Sequence, residues 1–162
     1  MEEFHVRISK DELTFSAGHF ITLGDGVCER LHGHNYRVAA ELAGPLDKNC
    51  YVVDFLVVIK ALKDIIGRLD HRMLLPTDHS SIKVAAGDDQ VEVTFGDRRW
   101  VFPREECVLL PVKNTTAELL AKHIAENLLD SLESSTSRRP EMVRIEVEEC
   151  AGMSAFCELR GE

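Results

Sequence analysis

The sequence predicts an α+β fold of strand, strand, helix, helix, strand, strand, with the strands in one four-stranded antiparallel sheet and both helices on one of its faces. Three observations predict it. Alternating apolar residues recur at both ends of the chain, two segments between them repeat every three or four residues, and Gly or Pro punctuation separates most of the pieces. The 162 residues, 44% of them hydrophobic, suffice for one core, so residues 1–162 read as a single domain with an insertion at about 80–110.

The first strand runs from Phe4 to Ser16, with Phe4, Val6, Ile8 and then Leu13 and Phe15 on alternate positions, and a bend is expected near Lys10-Asp11. Gly24-Asp25-Gly26 marks a loop. The second strand, His34 to Leu42, places Tyr36, Val38 and Ala40 on one face and stops at Gly44-Pro45, and it is expected to pair antiparallel with the first. From Asp54 to Leu69, the spacing of Phe55, Ile59, Leu62 and Ile66 predicts a helix with Asp54 as its N-cap. A second helix is predicted from about Thr116 to Leu132, its apolar side formed by Leu119, Leu120, Ile124, Leu128 and Leu129, with Thr115 and Glu118 as a capping box. Between the helices, residues 91–95 and 100–102 flank a four-residue turn, Gly96-Asp97-Arg98-Arg99, and read as an inserted hairpin. Ser131 to Pro140 reads as a polar surface loop, after which Met142 to Glu149 and Ser154 to Leu159 form the last two strands, turned through Ala151-Gly152. A sheet covered on one face only favours assembly into an oligomer.

Composition excludes several classes. With 28 acidic against 19 basic residues, a net charge of −9 and no long basic stripe, nucleic acid is not expected as a partner. Neither a signal peptide nor a membrane span is legible. Five cysteines, Cys28, Cys50, Cys107, Cys150 and Cys157, make an odd set without a C-x-x-C pair, which suits a reducing cytoplasm.

The sharpest local signal is Cys28-Glu29-Arg30-Leu31-His32-Gly33-His34. Residues i and i+2 of an extended segment share a face, so His32 and His34 offer two imidazoles to one ion, and Gly33 is read as leaving room where the metal approaches. Seven histidines give an H-x-H pair by chance on the order of 0.3 times in such a chain, so the pair alone leaves two surface histidines open as a reading. His19 ends the first strand and would lie beside the start of the second. Three imidazoles with one position free form the ligand set of a catalytic zinc, although ligand type alone admits iron or nickel. Cys28 is a candidate proton-abstracting thiolate, the alternatives being a small buried apolar residue or a fourth ligand of a structural zinc. Asp70-His71 could orient an imidazole for proton transfer, or simply end the helix. Glu149, in phase with Ile145 and Val147, places a carboxylate on the inward face, where an N–C–N edge would supply two donors; a strand-end residue near solvent is the plainer reading. His123 reads as a helix-surface residue.

Phe-Ser-Ala-Gly-His19, Cys28 with three residues before His32-Gly-His34, Val53-Asp54-Phe55, Leu69-Asp70-His71, Thr116-Ala-Glu118 and Val147-Glu148-Glu149 occur in order across nearly the whole chain. Together they resemble the 6-pyruvoyltetrahydropterin synthase family, including 6-carboxytetrahydropterin synthase. The resemblance implies the tunnelling fold, in which ββααββ subunits form a trimeric barrel, two trimers stack into a homohexamer, and active sites lie between subunits. It implies Zn2+ on His19, His32 and His34, Cys28 as general base, Asp70 and His71 as proton relay, and Thr116, Glu118 and Glu149 as substrate-binding residues, with Glu149 the pterin anchor. The implied activity is zinc-dependent carbon–oxygen lyase chemistry on 7,8-dihydroneopterin triphosphate, with Mg2+ assisting in some members, giving 6-pyruvoyltetrahydropterin or 6-carboxytetrahydropterin in tetrahydrobiopterin or queuosine biosynthesis. Some relatives instead use a Glu two residues ahead of His-Gly-His to make 6-hydroxymethyldihydropterin for folate synthesis. Glu29 stands there, so it is a second candidate catalytic residue. A non-enzymatic zinc or pterin-binding module, or a zinc hydrolase resting on the three histidines, are the readings from other classes. Two features depart from the family pattern: the long segment between Ile82 and Leu110, and Arg-Met-Leu-Leu after Asp70-His71 where an Asn is often seen.

Overall fold

The computed structural model describes residues 2–24, 26–136 and 138–161; Asp25 of the expected loop, Ser137 of the expected polar segment, and both terminal residues lie outside them. The main sheet has six strands: β1 (Phe4–His19), β4 (His32–Gly44), β5 (Arg72–Pro76), β9 (Cys107–Leu110), β10 (Met142–Cys150) and β11 (Met153–Arg160). Their order is β11-β10-β4-β1-β5-β9. The expected four strands are its antiparallel part, and β5 and β9 extend it in parallel beyond β1. Those two strands are short apolar runs, Met73 to Leu75 being buried throughout, and such runs carry no alternation to read. Two further strands, β2 (Thr22–Leu23) and β3 (Val27–Cys28), pair with each other between β1 and β4.

β1 bends where expected, because residues 10–13 bulge opposite Val38 between the pairs Ser9↔Ala39 and Thr14↔Arg37. Helix α1 (Phe55–Gly67) begins after Asp54, whose carboxylate accepts from Leu56 N at 2.8 Å. Its buried stripe is Val58, Ala61, Leu62, Ile65 and Ile66, so Phe55, half exposed, is on the rim and not on the stripe. Helix α2 (Ala117–Thr136) is longer than predicted: Leu132 is still buried on its inner side, and the hydroxyls of Ser134, Ser135 and Thr136 accommodate the helix by donating to carbonyls three or four residues back. The predicted Ser131–Pro140 loop is therefore helical up to Thr136. The cap also shifts by one: Thr116 Oγ1 accepts from Leu119 N at 3.4 Å, while Thr115 is fully buried. One core cluster lies between the helices and the sheet, joining Leu13, Phe15, Tyr36, Leu42, Leu62, Ile124, Leu128 and Ile145 among others.

The inserted segment is a three-stranded sheet, β6 (Lys83–Ala86), β7 (Gln90–Phe95) and β8 (Arg98–Pro103), where a hairpin was expected. Phe95 pairs with Arg98, so the turn is the two residues Gly96-Asp97 with Gly96 at φ 55°, and Arg98 and Arg99 belong to the strand. A second buried cluster joins this sheet to the main one through Phe20, Met73, Leu75, Ile82, Val91, Val93 and Cys107. Among the described residues, no helix is long and apolar enough to cross a membrane.

Candidate metal centre

The register of β1 and β4 builds the site. His19 lies directly opposite His32, and Ala17 opposite His34, so all three imidazoles stand on one face at the same end of the strand pair. One nitrogen from each ring falls in a group whose members lie within 4.8 Å of one another. Cys28 is not a member of that group, and the reading of it as a fourth ligand finds no support. His19 is 1% exposed; its Nδ1 faces Thr115 O at 2.9 Å, and His32 Nδ1 faces Arg30 O at 2.8 Å. A carbonyl accepts only, so each Nδ1 carries the proton and each Nε2 presents a lone pair, the arrangement that metal-binding histidines adopt. Burial holds the His19 pKa below its ordinary value, which keeps the ring neutral. The donor set thus fits a borderline divalent ion.

Gly33 has a different purpose from the one predicted. Its neighbours His32 and His34 point to the imidazole face, so a Cβ on Gly33 would point away from the site and meet Ala17 O at 3.1 Å. The glycine lets β1 approach closely.

Glu149 Oε1 lies 3.3 Å from His19 Nε2 and 3.4 Å from His34 Nε2. The same side chain lines a cavity of about 330 Å3 together with Thr116, Glu118, Ile21, Ser154 and Ala155. Thr116, Glu118 and Glu149 are thus brought to one cavity, and Glu149 links it to the imidazoles. Beneath them Tyr36, fully buried, approaches His19 Nδ1 at 3.3 Å, and burial pushes its phenol pKa far up, so it stays neutral. Tyr36 appeared in the sequence only as a core residue; its place two residues after His34 was the available signal.

Glu29 Oε2 reaches to 3.9 Å from His32 Nε2 and accepts from Ile21 N at 3.4 Å. Cys28, half-buried, packs against the second cluster, and its Sγ approaches Glu29 O at 3.6 Å. Burial pushes the thiol pKa up, Arg98 pulls it down, and Glu29 adds to the rise. Asp70 and His71 form their own pair, Asp70 Oδ2 to His71 Nδ1 at 2.9 Å, and are pinned to β1 by Ser16 N, which donates to Asp70 Oδ1 at 2.8 Å. That hydrogen bond is the main reason Asp70 stays below the usual carboxylate range. His71, at φ 55°, borders a cleft of about 480 Å3 that also has His34 in its wall. Among the described residues, neither Asp70 nor His71 makes a hydrogen bond or ion pair with Cys28. His123, read as a surface residue, is half-buried, and burial lowers its pKa.

The 6-pyruvoyl tetrahydropterin synthase family model matches residues 7–162. A Methanocaldococcus jannaschii protein, provisionally named 6-carboxy-5,6,7,8-tetrahydropterin synthase, is 31% identical over 144 residues, 88% of each chain. The 6-carboxy-5,6,7,8-tetrahydropterin synthase of Bacillus subtilis is 30% identical, covering 97% of this chain and 86% of its own. The solved structure of 6-pyruvoyl tetrahydropterin synthase from Plasmodium falciparum matches with a TM-score of 0.90 at 26% identity, over 99% of both chains. Its fold and this one are the same tunnelling fold, and the chain belongs to the 6-pyruvoyl tetrahydropterin synthase family.

Proposed function

We propose that the chain is a zinc-dependent lyase acting on 7,8-dihydroneopterin triphosphate, with 6-carboxytetrahydropterin the product the relatives' names favour over 6-pyruvoyltetrahydropterin. One observation carries the reading: a single carboxylate, Glu149, both touches two imidazoles of the cluster and lines the cavity shared with Thr116 and Glu118. A pterin seated there would have its N–C–N edge on a carboxylate and its side chain directed at the histidines. Zinc on His19, His32 and His34 would supply Lewis acidity to the substrate's side-chain oxygens.

The remaining roles belong to the chain itself. Glu149 orients the ring by accepting two N–H donors, and Thr116 and Glu118 border the same space. The Cys28 thiolate takes the side-chain proton, and His71, held by Asp70, returns one. Because that pair is spent on its own strand contacts within one chain, its delivery fits a site completed by a neighbouring subunit. Exposed Met153 and Phe156 on β11, one of the two edge strands, support assembly as a homohexamer of two trimers. We place the enzyme in the cytoplasm as one domain over residues 1–162, with the pterin as its partner, Mg2+ accompanying the triphosphate, and neither nucleic acid nor membrane involved.

Glu29 favours a second reading. Its carboxylate approaches His32 while Cys28 faces the second cluster, so Glu29 is the candidate base for side-chain cleavage to 6-hydroxymethyldihydropterin. Mass spectrometry of products from zinc-loaded wild type, Cys28→Ala and Glu29→Gln decides: a carboxy or pyruvoyl product lost with Cys28→Ala supports the lyase, and full turnover without that thiol overturns it. Tight pterin binding with no product from the wild type would instead identify a binding module.

A further inference from the structure

Residues 83–103 are not needed to cover the main core, yet they reach the Cys28-Glu29 segment directly. Arg98 Nη1 donates to Cys28 O at 2.7 Å, and Nη2 donates to Glu29 O at 3.1 Å. Successive carbonyls of an extended strand point in opposite directions, so one guanidinium meets both only where the chain turns, and β3 ends at Cys28. The guanidinium carbon lies 4.6 Å from the centre of the Trp100 ring, and that ring stacks on Phe20 at 4.5 Å and 20°. Phe20 is 1% exposed and follows His19 in the chain. The line His19, Phe20, Trp100, Arg98, Cys28 therefore ties the metal-binding strand to the segment bearing both candidate bases, through side chains that β8 supplies.

We propose that Arg98 is a positioning residue for the reaction: its two-pronged donation from β8 fixes the Cys28-Glu29 backbone. The proposal rests on the reading that this segment carries the proton transfer. Lysine would keep the charge but lose the fork, and glutamine would lose the charge. The charged groups facing the thiol are Arg98 from β8 and Glu29 from its own segment. Burial and charge act in opposite directions on this thiol, which makes the sign of the response diagnostic. Removing the cation raises the thiol pKa, whereas merely loosening the segment into water lowers it.

The test follows iodoacetamide labelling of the Cys28 peptide by mass spectrometry against pH in metal-free wild type, Arg98→Gln and Arg98→Lys, beside turnover of the zinc-loaded proteins. Arg98→Gln should move the labelling midpoint upward and slow labelling at pH 7 about three- to tenfold. Arg98→Lys should hold the midpoint and lower kcat about tenfold with KM little changed, because placement and not substrate binding is lost. A midpoint that stays or falls in Arg98→Gln overturns the role of the charge. If Arg98→Gln does not fold, Arg98→Lys still decides, because unchanged kcat there overturns the positioning role. Full turnover by Cys28→Ala together with a shifted midpoint in Arg98→Gln would sink the assignment of the base while leaving the contact between Arg98 and the segment intact.

Discussion

The three imidazoles and the Cys28-Glu29 segment all fall within residues 19–34 but are held by different means. His19, His32 and His34 stand on paired strands, and the ladder that pairs His19 with His32 fixes where each side chain points. Cys28 ends a two-residue strand whose position depends on side chains from elsewhere: Arg98 on its carbonyl, Asn114 Nδ2 donating to Thr22 O at 3.2 Å, and His79 on the Thr22 hydroxyl at 2.8 Å. The candidate ligands on paired strands are thus fixed by backbone geometry and should tolerate distant change. Cys28, the candidate base at the end of its short strand, is held by a handful of polar contacts and should respond to each of them.

The largest effect is expected where the backbone has no substitute for a side chain. His34→Ala should remove stoichiometric zinc, read by elemental analysis, and lower kcat/KM about 10^4-fold or more; retained metal would show that the His34 imidazole is not needed to hold the ion. Cys28→Ala should cost about 10^3-fold in turnover while zinc content stays at the wild-type level, since the thiol lies outside the imidazole group. Gly33→Ala is a smaller and more pointed probe. Its Cβ would press on Ala17 O at 3.1 Å, and a carbonyl held in a ladder yields little, so the strands should part slightly and zinc affinity fall about tenfold in a chelator competition. Unchanged affinity would mean that the triad does not depend on the close approach of β1.

The contrast also explains what could be read from the sequence. The triad was legible because a period of two and antiparallel pairing are enough to bring His19, His32 and His34 together. Helix α1 was legible for the same kind of reason, with Asp54 as a visible cap. Arg98 was not, because a turn of four residues would have left it solvated, and only the two-residue turn at Gly96-Asp97 moves it into β8 and turns it toward Cys28. β5 and β9 escaped notice because buried parallel strands are short apolar runs without alternation. The shift of the α2 cap from Thr115 to Thr116 follows from a tertiary demand that local spacing does not encode: Thr115 supplies its carbonyl to His19 and is buried in doing so.

The smallest effect concerns His79, which holds Thr22, the residue paired with Cys28. Its Nδ1 accepts from both Ser81 N and Ile82 N at 2.9 Å, so the proton of the neutral ring sits on Nε2 and is donated to Thr22 Oγ1. Burial, assisted by Lys83, holds its pKa below the ordinary 6.5. The folded protein therefore binds fewer protons at this site than the unfolded chain in the interval between the lowered pKa and 6.5. The stabilisation is complete above 6.5 and declines as pH falls through that interval. Protonation of Nδ1 would also turn its acceptor into a donor facing two N–H groups, and the strand pair Thr22↔Cys28 would lose its tether. His79→Ala should lower Tm by a few degrees at pH 7.5, corresponding to about 1 kcal/mol, and flatten part of the decline in Tm between pH 6.5 and 5. The decline should not vanish, because His19 and His123 are also held below their ordinary values by burial. Equal Tm losses at pH 7.5 and pH 5 would show that His79 acts by packing alone, and that the segment carrying Cys28 is insensitive to charge on this side.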